Sequence, residues 1–75
     1  MRTRKARVHD VVVFGKSNDP QYKVLAHSYY VLKKHQAVPL FERDFPENPV
    51  VKVLDLGIIE VEFSEEKYYA LYQNS

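Results

Sequence analysis

Val11-Val12-Val13-Phe14-Gly15-Lys16-Ser17-Asn18-Asp19-Pro20-Gln21-Tyr22 is the stretch on which the reading of the whole chain turns. Its first four residues are β-branched or aromatic and suit a pleated, buried surface, while Gly15 to Asn18 supply turn chemistry. Asp19 has the character of a helix N-cap. Pro20 fits the first helical position, where a missing N–H costs nothing and φ is already set. The junction therefore reads as strand, loop and helix start, with the helix opening at Pro20.

Working outward, residues 8–14 form the first predicted strand, and its unbroken apolar run implies cover on both faces. On the other side, Tyr22, Leu25, Ala26, Tyr29 and Leu32 fall at helical spacing, with Lys23, His27, Lys33 and Lys34 mostly opposite, which predicts an amphipathic helix over residues 20–36. Val24, Tyr30 and Val31 keep an extended reading of residues 22–32 open as the alternative. Pro39 ends the helical pattern, and residues 40–45 read as a second strand, parallel to the first through a right-handed crossover. Asn48-Pro49 repeats the cap-then-proline pattern, so residues 49–56 read as a short helix closed by Gly57, against the strand preference of Val50, Val51 and Val53. Ile59, Val61 and Phe63 alternate with Glu60 and Glu62, which predicts a half-exposed strand with an acidic face. Residues 67–72 are tyrosine-rich and stay open between a last strand and a helix capped at Ser64.

The chain has 75 residues, 45% hydrophobic and 28% charged, which bounds it to one small folded unit. It has no cysteine, so disulfides and thiolate chemistry are excluded. No apolar run reaches the roughly 18 residues of a membrane span, and the N-terminus lacks the apolar segment of a secretory signal. A cytoplasmic location without membrane contact is the expectation. Net charge is +1, yet Arg2, Arg4, Lys5 and Arg7 crowd the first seven residues and leave the remainder acidic. Residues 1–7 are accordingly expected to be a mobile basic arm, and residues 8–75 the domain proper.

The organising stretch resembles the active-site region of the glutaredoxins and their NrdH-type relatives. In that family an apolar strand passes through a Lys-Pro-x-Cys-Pro-Tyr-Cys turn into the first helix, and Lys16-Ser17-Asn18-Asp19-Pro20-Gln21-Tyr22 occupies the same slots. The lysine and central proline match, but both cysteines are missing. Val38-Pro39-Leu40-Phe41-Glu42-Arg43-Asp44 is similar to the family's second strand, and Glu47-Asn48-Pro49 to the start of its second helix. Leu56-Gly57-Ile58 with Glu60-Val61 resembles the family's leucine-glycine segment, with Glu62 where a cis-proline is expected. The resemblance implies an α/β fold of thioredoxin-like type, a small mixed sheet with packed helices. Disulfide exchange needs a thiolate and a resolving thiol. The implied protein is thus a redox-inactive scaffold whose substrate face binds another protein.

The remaining residues point the same way. His27 and His35 stand two helical turns apart on the expected helix, too far to share one ion, and no metal or other cofactor is expected. No serine sits in a nucleophile elbow, so an enzyme is not expected. Tyrosines are enriched where proteins meet, and this chain has six of them. The expected function is a non-enzymatic protein-binding module or regulator, monomeric or homodimeric, with Lys16, Asp19, Gln21, Tyr22, Glu60, Glu62 and Tyr68 as contact residues. The alternative is a nucleic-acid-binding protein that holds phosphates with Arg2, Arg4, Lys5 and Arg7 and stacks bases on exposed tyrosines.

Overall fold

In a computed structural model, which describes residues 2–73, the chain runs β1 (Thr3–Lys16), β2 (Val24–Val31), a 3₁₀ turn (Lys34–Gln36), α1 (Ala37–Asp44), β3 (Val50–Ser64) and α2 (Glu65–Gln73). The described strands form one open sheet in the order β2-β1-β3, with both pairings antiparallel. The fold is therefore mainly β, and the thioredoxin-like α/β expectation is wrong. A parallel crossover needs a helix between β1 and its neighbour, and a hairpin stands there instead.

The error begins at Asp19-Pro20. The Asp19 carboxylate accepts from the Gln21 N–H at 2.9 Å and its carbonyl accepts from the Tyr22 N–H at 3.1 Å. That is a β-turn with Asp at its first position and Pro at its second, where the ring presets φ just as it would in a helix. The Ser17 N–H donates to the Lys23 carbonyl at 3.3 Å and closes the hairpin. Residues 24–31 then run back along β1 as β2, with Lys16 paired to Val24 and His9 to Val31, and the helix expected over residues 20–36 does not form. Val24, Tyr30 and Val31 were the residues that favoured extension.

Two further stretches depart from expectation for the same reason. Residues 40–45, expected as a strand, lie mainly in α1, where Pro39 occupies the first turn and gives up only an N–H that has no helical acceptor. Of residues 49–56, expected as a helix, all but Pro49 belong to β3. Gly57 does adopt positive φ, at +103°, but inside a β-bulge where β3 carries an extra residue opposite Asp10. The strand expected from Ile58 to Phe63 is present as the second part of β3, and residues 67–72 are helical.

β1 organises the core by switching faces. Ala6 and Val8 are buried at even positions, and Val11, Val13 and Gly15 at odd ones. Side chains alternate along a strand, so two hydrophobic clusters form on opposite sides of the sheet. Val11, Val13, Tyr29, Val31, Ala37 and Phe41 make the larger one, under α1. Ala6, Val8 and Phe63 make the smaller one, against which Leu32, Val61, Tyr68 and Leu71 pack from β3 and α2. Each helix covers one half of one face, and the long strands β1 and β3 give the molecule its length of 43 Å against 21 Å in the other two directions.

The loops at the α1 end are tied together by hydrogen bonds. The Lys16 N–H donates to the Pro49 carbonyl at 2.8 Å, and the Asn48 side chain donates to the Lys16 carbonyl at 2.9 Å. Gly15 lies beneath this knot. A Cβ there would stand 2.7 Å from the Phe41 ring and 2.8 Å from the Asn48 carbonyl oxygen.

Candidate functional site

Alternation along β1 leaves two quarters of the sheet without a helix, a charged one around Lys5, Arg7, Glu60 and Glu62 and an apolar one. Opposite α1, the even positions Val12 and Phe14 face outward and are only partly buried. Their neighbours in register are Ser28 and Ala26 on β2 and Leu54 and Lys52 on β3. Val24 is 48% exposed, Tyr30 46%, Leu54 41% and Leu56 56%. The Tyr30 ring meets Phe63 edge-on at 6.2 Å, so this apolar surface continues directly into the smaller core. Lys52 reaches over the Phe14 ring at 5.9 Å and supplies a cation at the rim. Asp10 marks the opposite end, where its carboxylate accepts from the Ser28 hydroxyl at 2.7 Å.

The sequence-predicted contact residues are split by this fold. Lys16 ends β1 on the same even row as Val12 and Phe14, while Asp19, Gln21 and Tyr22 follow in the exposed hairpin loop. Glu60 and Glu62 sit on β3 near the other end of the molecule, roughly 30–36 Å away at the rise of a strand. They also lie on the other face, opposite Arg7 and Lys5, and the Thr3 hydroxyl donates to Glu62. Tyr68 packs from α2 against the smaller core. The set is thus not one surface.

The basic residues are similarly divided. Residues 3–7 are the first part of β1, with Lys5 and Arg7 directed toward an acidic strand. Arg4 points to the opposite face, where its guanidinium lies 5.4 Å from the Tyr68 ring centre and 5.6 Å from that of Tyr69. The Arg2 carbonyl accepts from the Glu65 N–H at 3.2 Å at the start of α2.

Two polar clusters border the larger core. The Tyr29 hydroxyl donates to Asp44 at 3.0 Å; burial, then this carboxylate, pushes the phenol up to about 12. Asp44 is held below the usual carboxylate range, first by that hydrogen bond and further by Arg43, whose Nε lies 3.2 Å away. The His27 ring stacks against Tyr29 at 4.6 Å and Phe45 at 5.6 Å. On β3, Asp55 accepts from the Gly57 N–H at 2.9 Å, the main cause of its lowered pKa, and stands 3.4 Å from the buried His9 Nδ1. The Asp55 cluster secures the bulge and the Asp44 cluster secures α1. Among the described residues no group of three or more His, Asp or Glu side chains is placed to hold a metal ion, and no helix is long and apolar enough to cross a membrane.

No family model, no curated protein and no solved structure matches this chain. The uncovered face was missed from sequence because its β2 and β3 residues were assigned to helices, although Val12 and Phe14 were read as a strand. The signal was present in Val24, Ala26, Ser28 and Tyr30, which alternate with Leu25, His27, Tyr29 and Val31 at the period of a strand.

Proposed function

We propose that the chain is a non-enzymatic protein-binding module that docks through the uncovered sheet face around Phe14 and Leu54. The observation that carries this reading is the row of half-exposed apolar side chains on that face, continuous with a core and rimmed by Lys16 and Lys52. Contiguous apolar surface with a polar rim is the ordinary signature of a protein contact. Nucleic-acid binding has less support, since Lys5 and Arg7 stand opposite Glu62 and Glu60 and do not form one basic face with Arg4.

A photoreactive phenylalanine analogue at Leu56 tests the reading, with the same residue at Glu42 on α1 as the control. In extract of the source cells, crosslinks to polypeptide are expected from position 56 and not from 42. Equal labelling from both positions, or none from 56, would overturn it.

A further inference from the structure

We infer that the occupant of this face is a second copy of the same chain, packed face to face as a two-fold β-sandwich; the inference rests on the protein-binding reading above. Charge and shape on this face are complementary to themselves. Along the even row of β1, Asp10 lies at one end and Lys16 at the other, with Val12 and Phe14 between them. A two-fold axis lying between the two sheets, perpendicular to the strands and passing over the middle of that row, places Asp10 of one copy against Lys16 of the other, twice. Val12 then meets Phe14. On β2, where Val24 pairs with Lys16 and Tyr30 with Asp10, the same axis sets the small Val24 against the large Tyr30. Parallel stacking would put lysine on lysine, and would also drive one α2 into the other, because α2 covers the adjoining half of this same face.

The geometry of the rest of the molecule agrees. Sheets pack about 10 Å apart, close to the diameter of a helix. Each α2 therefore fits at the end of the partner's sheet in the layer between the sheets. The exposed edge of β3 is a poorer seam, because the Leu56-Gly57 bulge interrupts its row of backbone donors and acceptors. The uncovered patch measures roughly 20 Å along the strands by 14 Å across them. That is well below the roughly 800 Å² per partner of a standard interface. The dimer is accordingly a weak one.

The test is sedimentation equilibrium of the purified chain between about 1 and 500 µM, with circular dichroism verifying that each variant folds. Wild type should pass from monomer to dimer in this range, and Leu54→Glu and Val24→Glu, both at exposed positions, should each remain monomeric. The decisive experiment uses charge reversal. Lys16→Glu and Asp10→Lys should each weaken self-association about tenfold, since each sets like charges together at both contacts. An equimolar mixture of the two should dimerise again, because both contacts are then complementary. Should Asp10→Lys fail to fold after losing its Ser28 hydrogen bond, Asp10→Asn and Lys16→Gln serve, with the expected outcome that each alone is weakened and loses the wild-type salt dependence, while their mixture, with one contact restored, recovers part of both. A wild-type monomer at 500 µM overturns the inference, as does a dimer indifferent to Leu54→Glu and Val24→Glu. If that monomer still crosslinks from position 56 to a different protein in extract, the binding-module reading stands and only the self-association falls; if it crosslinks to nothing, both fail.

Discussion

Gly15 and Tyr29 show how single positions in the larger core are constrained. At Gly15 an added methyl would meet the Phe41 ring at 2.7 Å and a backbone oxygen of the loop at 2.8 Å. The ring is fully buried and the carbonyl belongs to the knotted loop, so neither yields easily. Gly15→Ala is expected to cost about 2–3 kcal/mol in a denaturant titration, the scale of core overpacking. Phe41→Ala should cost about 3–5 kcal/mol through the cavity it leaves. Tyr29 tests electrostatics. Its folded pKa, about 12, is raised above the unfolded value near 10, because burial and the Asp44 carboxylate both disfavour the phenolate. The protonated hydroxyl therefore contributes stability that is fully present below pH 10 and is lost as pH rises through 12. Tyr29→Phe should lower stability by about 1 kcal/mol at neutral pH and remove this part of the alkaline loss, read as melting temperature against pH with the tyrosinate absorbance followed in parallel. An unchanged alkaline limb in Tyr29→Phe would mean that another group controls it.

The elements explain how far the sequence could be read. Residues 8–14 and 59–63 were legible as strands because their side chains suit that state in isolation, by β-branching in the first and by strict alternation in the second. The punctuation was misread. Asp19-Pro20 and Asn48-Pro49 carry chemistry that suits a helix start and a turn equally, since proline fixes the same φ in both. Pro39, read as a helix stop, stands inside the first turn of α1, and only the preceding 3₁₀ turn decides that. Gly57, read as the close of a helix, instead uses its positive φ of +103° in a bulge of β3. Of the candidate site, Lys16 was already among the contact residues expected from sequence, whereas the apolar row on β2 was hidden because one wrong assignment of residues 20–36 concealed which side chains share a face. The bulge supplies its own prediction. No atom lies within 4 Å of a Cβ at Gly57, so Gly57→Ala costs only what positive φ costs an L-residue, about 1–2 kcal/mol. Asp55→Asn should be milder, as the amide oxygen still accepts from Gly57 while the charge beside His9 is lost. If Gly57→Ala were neutral in a denaturant titration, the bulge would not be the conformation that the strand holds in solution.

At the scale of the whole molecule, two cores of unequal size lie on opposite faces of the sheet and share the strands β1 and β3. The larger contains six buried residues and is tied at its far end by the hydrogen bonds among Lys16, Asn48 and Pro49; the smaller contains three. α2 itself has no buried residue, and it closes the smaller core with the partly buried Tyr68 and Leu71. Regions with few buried contacts open at lower free energy than the global unfolding transition. Native-state hydrogen exchange should therefore resolve two units, with amides of α2 exchanging first and those around Val11, Val13, Tyr29 and Val31 last. Phe63→Ala sharpens the test, because that ring belongs to the smaller core alone. The variant should bring α2 amides close to unprotected rates while leaving a clear difference at β1 positions 11–13 and on β2. Uniform loss of protection across both units would instead mean that β1 couples the two cores into one cooperative transition, and that the second half of β3 is as necessary to the sheet as the hairpin is.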